Sequence, residues 1–256
     1  MTAPSRAAVG VGRCGAPSRA RTALRRAGTA MIAAGILVGV WTVVVWRWED
    51  PFTALYTTWE QHQLAGQYDR LRRSWRPPVR AAPARPEVQG GANPERSGEH
   101  APAPPVPIAV EAAAYRHDTH EGEAIGRIVI ARIGLDMVLV DGTDEGSLEK
   151  GPGRDLETFM PGQHRLVYIA GHRTTYLAPF SHIDRIRPGD SIRIEVPYGT
   201  FVYRAVRHEI VPAGDLAVLR SPGHELLRLQ ACHPRFFATQ RYLVDATLVK
   251  VIAPAH

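Results

Sequence analysis

Twenty consecutive residues, Ala27 to Trp46, carry no charge. As an α-helix they extend about 30 Å, the thickness of the hydrocarbon core of a bilayer. A segment of this kind divides the chain into a short N-terminal part and a long C-terminal part on opposite sides of a membrane. Trp41, Trp46 and Trp48 fall in or just beyond its distal half, where interfacial aromatics sit. Arginines precede it and Glu49 and Asp50 follow it, which orients the N-terminus to the cytoplasm. A cleaved signal peptide is the competing reading, but its apolar core runs about 7–15 residues and ends in a small-x-small site. Here the core is longer and Trp46-Arg47-Trp48-Glu49-Asp50-Pro51 follows. The expectation is a basic cytoplasmic tail (1–26), an uncleaved single-pass anchor (27–48) and an extracellular remainder.

Charge supports that division and excludes one function class. The formal net charge is +6, and residues 1–30 hold six arginines with no Lys, Asp or Glu. The other 226 residues are therefore neutral in sum, so the basic balance belongs to the tail and no nucleic acid is expected as a partner. The topology also separates the two cysteines, placing Cys14 inside and Cys232 outside. They cannot pair, and an unpaired thiol in an exported domain points to reactivity. The bland alternative is a small buried residue, since cysteine is among the most often buried types.

Asp50-Pro51 reads as a helix start, and Phe52, Leu55, Tyr56 and Trp59 then recur at helical spacing. This juxtamembrane amphipathic helix (49–76) either lies on the membrane surface or packs on the exported domain. Pro77 to Pro107 contains nine prolines and cannot build a core. The linker is expected to run on through residue 122 without regular structure. From Glu123 onward the pattern is of short apolar runs between turn signals: Ile125 to Ile133, Leu135 to Val140, Leu166 to Ala170, Ser191 to Val196, Thr200 to Val206, Glu209 to Pro212, Leu226 to Ala231 and Tyr242 to Ile252. One or two helical turns fit Thr143 to Lys150. Eight short strands in about 130 residues predict a mainly β domain, a closed or nearly closed barrel with short helices over residues 123–256.

Three chemistry-bearing residues fall at strand ends. Cys232 follows the run Leu226 to Ala231, His172 follows Leu166 to Ala170 in Ala170-Gly171-His172-Arg173-Thr174-Thr175-Tyr176, and Arg241 precedes the last strand. A thiolate is the reactive form of cysteine, an imidazole shuttles its proton, and a guanidinium charged at every pH holds a carbonyl or a developing oxyanion. Together they are sufficient for acyl transfer through a thioester. Taken singly, His172 is as well explained as a loop histidine with a hydrogen-bond partner. His233 neighbours Cys232, but adjacent strand residues face opposite ways, so it is read as exposed rather than as the base. Arg173, Arg207 and Arg235 are read as solvated. No His/Cys/Asp spacing suits a metal, and Gly151-Pro152-Gly153 lacks the strand–Gly-Lys-Ser/Thr–helix context of a phosphate loop, so no cofactor is expected.

The order Gly-His-Arg-Thr-Thr-Tyr-x-x-Pro-Phe, then about sixty residues, then Cys-His-Pro-Arg-Phe-x-Ala-x-x-Arg, resembles the sortases, and most of all the class E sortases of high-GC Gram-positive bacteria. The resemblance covers roughly Glu123 to Val251. It implies the eight-stranded sortase β-barrel, with Cys232 as nucleophile, His172 as general acid/base and Arg241 as the residue that stabilises substrate and oxyanion. Tyr176, Thr174 and Ala231 are the implied substrate contacts. It further implies cleavage of a Thr–Gly bond in a Leu-Ala-x-Thr-Gly- or Leu-Pro-x-Thr-Gly-like signal on surface proteins or pilins, followed by transfer to an amine of a cell-wall precursor or pilin. One departure stands out: the family's Thr-Leu-x-Thr-Cys is Arg228-Leu229-Gln230-Ala231-Cys232 here. Two alternatives remain: a non-catalytic anchored barrel that binds wall or protein ligands, and another exported cysteine transpeptidase. An L,D-transpeptidase resembles Ser-x-Gly-Cys-x-Arg, which is not found around Cys232.

Overall fold

The computed structural model describes residues 19–48, 51–78 and 107–254. The distal tail with Cys14 and most of the proline-rich segment lie outside the described residues. The chain divides into two compact units, Met1–Trp48 and Glu49–His256.

The first unit holds helix α1 (Arg19–Trp48). Over Ala20–Val44 it is long and apolar enough to cross a membrane. Its large apolar side chains, among them Met31, Ile36, Leu37 and Trp41, are exposed.

The second unit is built on a closed barrel with strand order β1-β2-β3-β4-β7-β8-β6-β5. The strands are β1 (Ala124–Ile130), β2 (Leu135–Asp141), β3 (Gly153–Arg154), β4 (Leu166–Ala170), β5 (Ser191–Val196), β6 (Gly199–Pro212), β7 (Leu226–His233) and β8 (Gln240–Ile252). Strand alternation makes the core. Ile128 and Ile130 of β1, Ile192 and Ile194 of β5, Leu227 and Leu229 of β7, and Val244 and Ala246 of β8 all point inward and are fully buried. Closure leaves few free edges, and β4 and β7 run parallel in the wall, paired from Leu166↔Leu226 to Ala170↔Gln230.

The expected count of eight strands holds with different membership. Glu209 to Pro212 is not a separate strand but the end of the 14-residue β6, which stays paired with β8 across a register shift between Ala205 and Arg207. The extra residue there is a bulge that breaks the alternation without ending the strand. The eighth strand is β3, read in the sequence as part of a turn. The supposed irregular stretch 108–122 is corrected as well. Ile108–Asp118 forms helix α3, whose Ala112 and Tyr115 are buried in the barrel core cluster. Tyr115 donates its hydroxyl to the carbonyl of Ile125 at 2.8 Å.

Helix α2 (Pro51–Ser74) packs on the barrel. Its inward face is Thr57, Gln61, Leu64 and Tyr68, with Leu64 and Tyr68 buried against Ala124, Val138 and Val140. Gln61 supplies what a neighbouring strand would supply. Its Oε1 accepts from the Val138 amide at 2.7 Å, and its Nε2 donates to the carbonyls of Val138 at 3.1 Å and Lys150 at 2.8 Å. The apolar stripe seen in the sequence lies elsewhere on the helix: Leu55 is 72% exposed and Trp59 58% exposed.

Candidate active site

Strand pairing brings the three candidate residues together. Cys232 and Arg241 are direct cross-strand partners in the β7–β8 ladder. The last paired residues of the parallel β4–β7 ladder are Ala170 and Gln230, and the Gly171 amide still reaches the Gln230 carbonyl at 3.0 Å. His172 and Cys232 each lie two residues beyond that pair. All three line one cleft of about 280 Å³ on the outside of the barrel. Its floor is Tyr168, Ala170 and Gln230, and one wall is the β6–β7 connection with Leu216, Val218 and Leu219. Gly171 is required by a close approach. A Cβ there would meet the Phe180 ring at 2.7 Å.

Burial pushes the His172 imidazole below its ordinary value, against the opposing pull of Glu149 and Glu145. The ring is therefore neutral around pH 7. Its Nε2 is buried and has no hydrogen-bond partner among the described residues. The Tyr176 ring packs against it with centroids 5.1 Å apart, and the Tyr176 hydroxyl donates to Glu149 at 2.7 Å. Burial likewise pushes the Tyr168 phenol up to about 12, so on the cleft floor it stays a donor, here to Gln230 at 3.2 Å. Arg241 donates to the carbonyls of Ala238 at 2.8 Å and Gln240 at 3.1 Å. Those bonds hold its guanidinium at the mouth of the β7–β8 loop.

Other expected residues fall elsewhere. Ala231 is the clear correction: it is 0% exposed and part of the barrel core, because it alternates with Cys232 and faces the other way. Thr174 and Tyr176 sit half-buried on the loop after β4, outside the cleft lining, with Tyr176 against His172 instead. His233 is half-buried, and its Nδ1 lies 2.9 Å from Arg173. Because a guanidinium only donates, that nitrogen is the acceptor, which occupies His233 away from the chemistry.

One arginine was misjudged from the sequence, and a second was noted there only as a replacement. Arg173, read as solvated, is 6% exposed and reaches Asp184 at 2.9 Å and the Cys232 carbonyl at 3.3 Å. Arg228, which stands where the family has a threonine, is also buried. It makes a two-pronged pair with Asp245 at 2.7 and 2.9 Å and donates to the Val218 carbonyl in the cleft wall at 2.7 Å. Asp245 accepts from Arg207 as well, at 2.8 Å. Burial acts to raise the Asp245 carboxyl, but the two guanidiniums outweigh it and hold the group below the usual carboxylate range. The available signal was charge at inward or paired strand positions, which only a known register exposes.

Among the described residues no group of three or more His, Cys, Asp or Glu is placed to hold a metal. Fold and site together give a closed β-barrel with a thiol, an imidazole and a guanidinium around one cleft. Comparison with known proteins carries the assignment further. Residues 128–249, just under half of the chain, match the model of the sortase domain. Sortase D of Bacillus subtilis (strain 168) is 31% identical over 137 residues, which cover 52% of this chain and 66% of that protein. Sortase SrtE1 of Streptomyces coelicolor is 31% identical over 108 residues, covering 37% of this chain and 30% of that protein. The chain thus spans just under two thirds of the first relative and less than a third of the second. Among solved structures, a Clostridium perfringens Sortase D5 transpeptidase superposes with a TM-score of 0.50 at 27% identity, covering 55% of this chain and 88% of that one.

Proposed function

We propose that this protein is a membrane-anchored cysteine transpeptidase acting on C-terminal sorting signals. The observation that carries the reading is the register: Cys232 opposite Arg241 on β8, with His172 at the end of the adjoining parallel strand and all three on one cleft.

In this reading neutral His172 takes the Cys232 proton. The thiolate attacks the carbonyl carbon of the Thr–Gly bond, and Arg241 faces the oxyanion that forms. Collapse breaks the C–N bond, and the imidazolium returns its proton to the departing glycine amine. A thioester remains on Cys232. An amine from a cell-wall precursor or a pilin then gives a proton to His172, attacks the thioester and releases the thiolate. The match to the sortase domain and the names of the relatives support this chemistry, and the Leu-Ala-x-Thr-Gly- or Leu-Pro-x-Thr-Gly-like signal follows from the family resemblance.

The partners in this reading are sorting-signal-bearing surface proteins or pilins, the acceptor amine and the lipid bilayer. Helix α1 would anchor the chain with its N-terminus in the cytoplasm and the barrel outside. Helix α2 follows α1 within three residues in the chain, and its exposed Leu55 and Trp59 suit the membrane interface.

The test is incubation of the protein with a panel of sorting-signal peptides, with and without an amine acceptor, followed by mass spectrometry. The expected result is a thioester mass on Cys232, cleavage after threonine and an amide product with acceptor. A panel that yields neither adduct nor product in the wild type sinks the reading.

A further inference from the structure

We propose that Arg173 and Arg235 are positioning residues that lock the base-bearing segment to the nucleophile strand through two crossed guanidinium–carbonyl bonds. This rests on the reading of Cys232 as nucleophile and His172 as base.

The β4–β7 ladder ends at Ala170↔Gln230, one amide short of the residues that would react. Beyond that last rung the two segments are joined by side chains. Arg173, next to His172, donates from Nη1 to the carbonyl of Cys232 itself at 3.3 Å and to His233 Nδ1 at 2.9 Å. In the opposite sense, Arg235 donates from Nη2 to the carbonyl of Arg173 at 3.3 Å. One bond thus reaches the backbone of Cys232 itself, and the other reaches the backbone of Arg173, the residue after His172. Nη2 of Arg173 is held by Asp184 at 2.9 Å, and its guanidinium lies over the Tyr242 ring at 5.5 Å. Burying a guanidinium to this degree is costly unless its donors are used; both terminal nitrogens are used here, while the buried Nε has no partner among the described residues. Only a rigid fork reaches Asp184 on one side and two acceptors on the nucleophile strand on the other, which a lysine cannot do. The brace therefore continues the ladder past its final backbone rung and fixes the separation of His172 and Cys232. A displacement of about 1 Å between reacting groups costs on the order of 100-fold in rate.

The experiment is a double-mutant cycle on the full chain in detergent or nanodiscs. Arg173→Gln, Arg173→Lys and Arg235→Gln are made with His172 present and in a His172→Ala background. Peptide cleavage is followed by mass spectrometry over hours and normalised to the sites counted by alkylation of Cys232. Arg173→Gln should lower kcat by about 10- to 100-fold with KM within about twofold. Arg235→Gln, on a half-buried loop residue, should lower it by several-fold with the fold intact, and Arg173→Lys should fall between Arg173→Gln and the wild type. In the His172→Ala background the same substitutions should cost under about threefold, because the alignment they protect is already gone. A purely structural role would cost the same in both backgrounds. Equal losses there, or an unchanged kcat in Arg173→Gln, overturn the proposal. A wild type that cleaves no peptide counts against the transpeptidase reading instead. In that case the same cycle, read in the rate of Cys232 alkylation by iodoacetamide, judges the brace without any substrate.

Discussion

Cys232→Ala should abolish both the thioester and peptide cleavage, and persistence of either in mass spectra would remove Cys232 from the chemistry. Arg241→Ala should act in kcat more than in KM, by about 100- to 1,000-fold, if the guanidinium meets charge that develops only in the transition state. His172 makes a pH prediction whose sign follows from its depressed value. A base must be deprotonated to act, so kcat/KM should rise with pH through an imidazole that titrates below its ordinary value of about 6.5. An acid limb above that value would contradict the assignment. That these three residues share one cleft was legible in the sequence because each combines a reactive group with a strand end. Ala231 was not, for the opposite reason. Its place next to Cys232 in the chain suggests the cleft, whereas alternation along β7 puts it in the core. Arg173 was hidden by its neighbourhood of loop residues, and only Asp184 and the Cys232 carbonyl reveal it as buried.

At the scale of elements, the departure from the family's motif becomes a tie between three parts of the fold. Arg228 on β7 holds Asp245 on β8 and the Val218 carbonyl in the connection that forms one cleft wall. Arg228→Thr, which restores the family residue, leaves Asp245 buried with Arg207 alone and frees that carbonyl. Leaving a buried charge wholly unpaired costs about 3–5 kcal/mol; with Arg207 retained the loss should be below that, about 1–3 kcal/mol, to be read from urea denaturation. Hydrogen exchange at Leu216–Leu219 should quicken in the same variant. A loss under about 1 kcal/mol with unchanged exchange would show that the tie is not holding the wall. The strands themselves were legible as short apolar runs, and long alternating β5 and β7 were placed almost to the residue. The two-residue β3 gives no periodicity to read, and β6 was split because a bulge mimics a strand end. Helix α3 was lost because it follows a proline-rich run and offers little beyond Ala112 and Tyr115 as an inward face.

At the scale of the molecule, packing against the barrel begins before Glu123, where the sequence reading starts the catalytic domain. Residues before Glu123 complete the barrel: Tyr115 and Ala112 are in its core, Leu64 and Tyr68 cover β1 and β2, and Gln61 satisfies the Val138 amide and carbonyl beside the two-residue β3. Those last groups would otherwise meet only solvent on a strand edge, since β2 pairs with β3 only at Val140 and Asp141. Two fragments separate the views. One beginning at Glu49 keeps every one of these contacts, while one beginning at Glu123 exposes the surfaces they cover. The loss of two buried tyrosines and a leucine, at about 1.5–3 kcal/mol for each large apolar side chain, is comparable with the whole stability of a domain of this size. The longer fragment should unfold cooperatively and resist limited trypsin digestion. The shorter should melt at least 10 °C lower or fail to give a cooperative transition. Equal melting temperatures would mean that α2 and α3 decorate a self-sufficient barrel. Gln61→Ala in the longer fragment isolates one contact. It takes their protein partner from the Val138 amide and carbonyl at a cost of up to about 1–3 kcal/mol, so a midpoint unchanged from the parent would remove the Gln61 contact, though not Leu64 and Tyr68, from the barrel's stability.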